Sequence, residues 1–153
     1  YLEMDRLYWK PNWQEPNDEE FFSILEHALS GDAWVLDGNY TRTTHIKWPR
    51  ANLVVWIDYS FPLTLYRVIK RSILRAWKKQ ELWPGTGNRE SFTRLFSKDS
   101  MVLWTLSHYA SNKGKFEELM ATESYAHIEF VRLRSPKEAA ALIQNLTNRN
   151  QQA

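Results

Sequence analysis

Five consecutive apolar residues, Leu53 to Ile57, end on Asp58, and this run constrains the fold more than any other stretch of the chain. Its β-branched and aromatic members suit a pleated strand, and the lack of polar alternation implies burial on both faces, as in a parallel sheet covered by helices. Two more apolar stretches close the same way, Leu2-Glu3-Met4-Asp5 and Trp34-Val35-Leu36-Asp37. Between them the spacing turns helical. Asn17 or Asp18 caps a predicted helix from about Glu19 to Leu29, and Gly31 stops it. A long helix opens at Pro62 and runs to about Glu81, with Leu65, Ile69, Ile73 and Trp77 as its core-facing stripe. Helical spacing returns from Asp99 to about Met120, with Met101, Leu103, Trp104, Leu106 and Tyr109 packing inward. Ile128 to Leu133 alternates as a last strand. Ser135-Pro136-Lys137-Glu138 then opens a terminal helix with Ala140, Ile143 and Leu146 inward, and Asn148 to Ala153 reads as frayed. Strands alternating with helices predict an α/β fold, a parallel sheet with helices on both faces.

Composition narrows the function classes. A 153-residue chain that is 43% apolar builds one domain with a real core, which excludes general disorder. Twenty basic residues against eighteen acidic ones leave a net charge of +2, too little to argue for nucleic acid. The absence of cysteine excludes disulfides, thiolate nucleophiles and Cys-held zinc or iron–sulfur sites, and fits a reducing cytoplasm. No apolar run is long enough to span a bilayer, so no membrane partner is expected. The chain opens at Tyr1 inside what reads as a structured segment, which gives the expectation that its front end has been removed. The sequons at Asn39 and Asn145 read as chance matches, since no secretory signal precedes them.

Three features carry chemistry. The first is the set of strand-terminal acids, Asp5, Asp37 and Asp58. Ligands of open parallel sheets sit beyond the carboxyl ends of the strands, where three acids would gather to hold Mg²⁺, take a proton or fix basic groups. Asp is equally a common turn starter after a strand. The second is the stripe Arg67, Arg71, Arg75 and Lys78, which shares one helix face and suits phosphate oxygens, or else is a solvated surface. The third is Trp83-Pro84-Gly85-Thr86-Gly87-Asn88-Arg89-Glu90, which reads either as a flap bringing Arg89 over a ligand or as a plain connector.

Other constellations are missing. The histidines at 27, 45, 108 and 127 lack metal spacing, and no serine sits in a nucleophile elbow. Trp9, Trp13 and Trp83 are loop tryptophans able to stack on a base, although apolar cover is the commoner use. Lys113-Gly114-Lys115 lacks the upstream glycine of a phosphate loop.

Four segments together resemble the P-loop small-molecule kinases, and within them the adenylate-kinase-like topology modulation (FlaR-like) group. They are Leu2 to Trp9, Trp34 to Tyr40, Leu65 to Arg71, and Gly87-Asn88-Arg89-Glu90. The resemblance implies a P-loop NTPase-like sheet in one domain over residues 1–153, with a helical lid at about 78–100. It implies ATP-dependent phosphoryl transfer to a small-molecule acceptor, with ATP and Mg²⁺ as cofactors of an intact member. Asp5 and Arg6 would then lie at the acceptor site together with Gly38 and Asn39. Asp37 would approach the metal, Arg67 the nucleotide base, Arg71 its phosphates, and Arg89 would act from the lid.

The family opens with a strand, a G-x-x-x-x-G-K-[ST] loop and a helix, none of which occurs in this sequence. The expectation is therefore a sheet without its central first strand, which leaves strand edges open to pairing with another chain. This chain by itself is then not a competent kinase. The alternatives are a non-catalytic module that binds nucleotide or phosphate through Arg67, Arg71 and Arg89, and, ranked last, a regulator associated with DNA topology.

Overall fold

The computed structural model describes residues 1–98 and 100–151. The chain divides into two compact units. One holds Tyr1–Ala51 and Ser72–Lys98, the other Asn52–Arg71 and the described residues of 99–153.

In the first unit the elements are β1 (Leu2–Glu3), α1 (Met4–Tyr8), α2 (Asp18–Ala28), β2 (Leu36–Asp37) and α3 (Thr44–Lys47), joined by short 3-10 turns. β1 and β2 pair in parallel, Leu2 opposite Leu36 and Glu3 opposite Asp37. Asn17 caps α2, its side chain accepting from the Glu20 N–H at 2.8 Å. Just past the other end of α2 the Arg50 guanidinium donates to the carbonyls of Leu29, its C-cap, and Gly31. The core gathers Met4, Tyr8, Phe21, Leu25 and Leu29, with Trp34, Leu36, Tyr40 and Ile46 packed against it. The i, i+4, i+8 spacing of Phe21, Leu25 and Leu29 puts all three on the same side of α2, and all are buried. Each such side chain contributes about 1.5–3 kcal/mol on leaving water.

In the second unit β3 (Leu53–Ile57) pairs in parallel with β4 (Glu129–Leu133), flanked in sequence by α6 (Met101–Met120) and α7 (Pro136–Asn150). Ser135 and Glu138 open α7, where the sequence places the helix start. Ser135 Oγ accepts from the Glu138 N–H at 3.3 Å, and the Glu138 carboxylate accepts from the Arg134 N–H at 2.8 Å. That backbone donor holds the Glu138 carboxyl below its usual range. α4 (Phe61–Lys78) belongs to the second unit as far as Arg71 and to the first from Ser72. α5 (Phe92–Leu95) is one short turn in the first unit.

This architecture corrects the expected fold class. Among the described residues the strands form two separate parallel ladders of two strands each, and not the central P-loop NTPase-like sheet covered on both faces by helices. The physical reason shows in β3. Leu53, Val55 and Ile57 are 38%, 39% and 60% exposed, so a run apolar on both faces is covered on only one. A two-stranded ribbon offers too little surface to bury the helices that a wide sheet would cover. The inward stripes are corrected for the same reason. Ile69, Ile73 and Trp77 are exposed, and the small Ser72 and Ala76 are the buried residues of α4. On α6, Met101, Leu103, Trp104 and Leu106 are exposed while Thr105 is buried, and Ile143 and Leu146 of α7 are exposed as well.

Leu25→Ala removes a fully buried side chain from the first unit's core and is expected to cost about 2–5 kcal/mol. Urea unfolding followed by circular dichroism measures it.

Candidate functional site

Two of the three acids expected at strand ends lie in the first unit, although only Asp37 ends a strand. Asp37 ends β2 opposite Glu3, and Asp5 follows two residues later in the first turn of α1. Both carboxylates accept from phenols. The Tyr40 hydroxyl donates to Asp5 Oδ1 at 2.7 Å, and the Tyr1 hydroxyl donates to Asp37 Oδ2 at 3.0 Å. Burial, and then the bond to Asp5, push the Tyr40 phenol far above its ordinary range, so it stays protonated and donates. The bond to Asp37 likewise raises the exposed Tyr1 phenol. Arg6, Gly38 and Asn39 are exposed on the same unit. Gly38 has a structural duty too. Its φ is +130°, and a Cβ there would stand 2.7 Å from the Met4 Cβ.

Tyr40 is held from several sides. Its ring meets Tyr8 at 4.9 Å and Phe21 at 5.3 Å, and its carbonyl accepts from the Thr43 N–H at 2.9 Å and the Thr43 hydroxyl at 2.7 Å. A third donor is the Lys47 ammonium at 3.2 Å. Lys47 is only 5% exposed, and its Nζ lies 3.9 Å from the Met4 sulfur. Desolvation lowers its pKa from 10.5 to about 8. Arg42 reaches Asp18 at 3.3 Å while lying over the rings of Tyr8 and Phe21. The site is thus two exposed acids of the first unit, one of them fixed by a phenol that the core grips.

The third acid has partners of its own. Asp58 belongs to the second unit, where its nearly buried carboxylate is taken up by Arg132 and Lys113. Both Nε and Nη2 of Arg132 donate to Asp58 Oδ2, at 2.8 and 2.6 Å, and Nη2 also reaches Glu117 at 3.0 Å. The Arg132 guanidinium stacks on Trp56, with 4.3 Å to the ring centroid. An acid neutralised this way has a structural role.

The arginines divide between the units. Arg67 and Arg71 sit one turn apart on the second unit's part of α4, both exposed, Arg67 lying 5.0 Å over the Tyr59 ring. Arg89 is exposed in the first unit, its backbone bridged to Glu81. The segment read as a flap is closed upon itself. The Leu82 N–H donates to the Asn88 carbonyl at 2.9 Å, the Gly87 N–H to the Glu81 carboxylate at 2.7 Å, and Gly85 and Gly87 take the positive φ values the turn requires.

Among the described residues no group of three or more His, Cys, Asp or Glu is placed to hold a metal. A Mg²⁺ ion needs only one or two carboxylates when substrate phosphates complete its shell, and the exposed Asp37 is a donor of that kind. No helix among the described residues is long and apolar enough to cross a membrane. No family model matches the chain, and no curated protein or solved structure matches it.

Sequence reasoning missed Lys47 and the part Tyr40 plays. The available signal for Lys47 was its place between Ile46 and Trp48, a lone charge in an apolar neighbourhood. Tyr40 had no such signal, because its partner Asp5 lies 35 residues away.

Two outcomes follow. Lys47→Met should stabilise the fold at pH 7 by about 1–3 kcal/mol, since the Tyr40 carbonyl keeps its Thr43 donors. The unfolded chain holds the Lys47 proton more tightly, so the penalty is full below about pH 8 and disappears as pH rises towards 10.5. The stability gap between Lys47→Met and the parent, measured by urea unfolding at several pH values, should therefore close over that window. Gly38→Ala should cost about 1–3 kcal/mol in the same assay, through its φ and its clash with Met4.

Proposed function

We propose that this chain supplies acceptor-side groups for ATP-dependent phosphoryl transfer to a small molecule, the chemistry of the small-molecule kinases it resembles. The observation that carries this reading is the Asp5 carboxylate in the first turn of α1, held 2.7 Å from the Tyr40 hydroxyl, in the unit where Asp37 ends β2. Phosphoryl transfer asks little covalent work of a protein and much positioning, with cations to offset the charge on the phosphoryl oxygens. An exposed acid fixed by a protonated phenol is suited to orient an acceptor hydroxyl and take its proton. Arg6, the next residue, offers a guanidinium fork to an anionic group on the acceptor, and Arg89 offers a second cation. Asp37 would be the residue to hold Mg²⁺, whose positive charge would offset that of the ATP phosphates. The sequence holds no glycine-rich phosphate loop, so the 153 residues alone are expected to bind without turning over ATP. The absence of cysteine agrees with a reducing cytoplasm as the place of action.

A second reading is favoured by one observation, the exposed pair Arg67 and Arg71 on α4, and makes the chain a non-catalytic nucleotide- or phosphate-binding module. For that module, binding of ATP at equilibrium should be lost in Arg71→Ala.

The transfer reading is tested by expressing the chain with whatever its gene encodes ahead of Tyr1 and assaying ATP turnover with small hydroxyl and phosphate acceptors. Asp5→Asn is expected to lower kcat by about 100-fold or more, the usual worth of a general base. An upstream region without a phosphate loop, or turnover indifferent to Asp5→Asn, would sink it.

A further inference from the structure

The loop tryptophans of the first unit form an arrangement that the site of Asp5 and Asp37 does not use. Trp9 and Trp83 lie nearly parallel, 16° between planes with centroids 6.4 Å apart, and Trp13 stands across both at 75° and 81°. The backbone that presents Trp13 is unusual. Asn12 and Trp13 take φ values of 58° and 60°, left-handed conformations that a bulky side chain disfavours. Asn88, 1% exposed, holds them there. Its Oδ1 accepts from the Trp13 N–H at 2.9 Å, and its Nδ2 donates to the Lys10 carbonyl at 2.9 Å. The backbone that carries Trp13 is therefore held by a strained turn and a buried amide clamp.

The Arg94 guanidinium covers that indole, 3.7 Å from the ring centroid. This is contact distance for one planar group stacked on another. The backbone of Arg94 is anchored independently of the stack. Its N–H donates to Ser91 Oγ at 3.1 Å, and its carbonyl accepts from Ser97 Oγ at 2.9 Å. The side chain alone can leave the ring, with no change in α5. Trp13 and Arg94 are both half-buried, so each keeps part of its surface in solvent.

We propose that Trp13 and Arg94 form a stacking site for a planar heteroaromatic ring that carries an anionic group, with Arg94 as the placeholder on the indole face in the free chain. A heteroaromatic ring on Trp13 takes the position the guanidinium now holds. The displaced fork, tethered beside the ring, then pairs with the anion at the ring's periphery. A neutral ring has to expel Arg94 without recruiting it, whereas a ring with a phosphate does both. The site holds whether or not the chain takes part in phosphoryl transfer, because it is read by binding alone.

Calorimetric titration of the 153-residue chain with AMP, adenosine and ribose 5-phosphate, in the absence of ATP, tests it. AMP should bind saturably, adenosine more weakly, and ribose 5-phosphate not measurably. Arg94→Ala should tighten adenosine by about two- to fivefold by freeing the indole face, and lower the ratio of AMP to adenosine affinity by about tenfold. Trp13→Gly, which suits the positive φ and removes the ring, should abolish binding of both. If that variant loses its circular dichroism spectrum, Trp13→Phe replaces it and should weaken both ligands together. No saturable heat with AMP, ribose 5-phosphate binding as well as AMP, or an Arg94→Ala variant whose two ligands shift by the same factor overturns the proposal and leaves the indoles as apolar cover.

Discussion

The first unit depends on the packing of Met4. This side chain has no exposed surface, lies against the backbone of Gly38 where a Cβ would stand 2.7 Å away, and has the Lys47 ammonium at 3.9 Å from its sulfur. It follows β1 directly and opens α1, so its burial fixes the point where strand turns into helix. Asp5, the next residue, is thereby turned outward beside the end of β2. The chain from core to site is short: Met4 seats Gly38 and Lys47, Lys47 and Thr43 hold the Tyr40 carbonyl, and the Tyr40 hydroxyl holds Asp5. A buried lysine without a carboxylate partner is costly, and its presence beside this chain of contacts is the clearest local departure from a purely apolar core.

The guanidinium groups show how differently one residue type is used. Arg50 bonds the carbonyls just past a helix end, Arg132 neutralises a nearly buried acid while lying over an indole, and Arg42 lies over two rings on its way to Asp18. Each of these is a fork satisfied by the protein itself. Arg71 is instead exposed on a helix face, and Arg94 covers a ring that a ligand can also cover. Planarity and delocalised charge make all of these uses available, and surroundings select among them.

Much of the local structure was legible in the residues. The Asn17 cap, the helix start at Ser135, the helix over α2 and the strands at Leu53 and Glu129 follow from short-range physics: a side-chain oxygen near free N–H groups, apolar spacing, β-branched runs. Of the strand-end acids, Asp5 and Asp37 fall in one unit, with Arg6, Gly38 and Asn39, which the family resemblance alone singled out, while Asp58 is taken up by Arg132 and Lys113 in the other. The inward stripes of α4, α6 and α7 were not legible as they stand. Periodicity says that a face is apolar and not what covers it, and two-stranded ladders leave Ile73, Trp77 and Leu106 in the open.

The sequence by itself determined the approximate place of the longer helices and of the strands at Leu53 and Glu129, that these residues carry no thiol, and which acids close the apolar runs. Those properties are set within a few residues, by caps, spacing and composition. Tertiary structure alone decided that the strands pair as two separate ladders, that Tyr40 and not a cation fixes Asp5, and that Arg94 lies on Trp13. Such pairings join residues tens of positions apart, and they form because a buried polar group must find a partner and a flat ring must be covered, conditions that no local window of sequence contains.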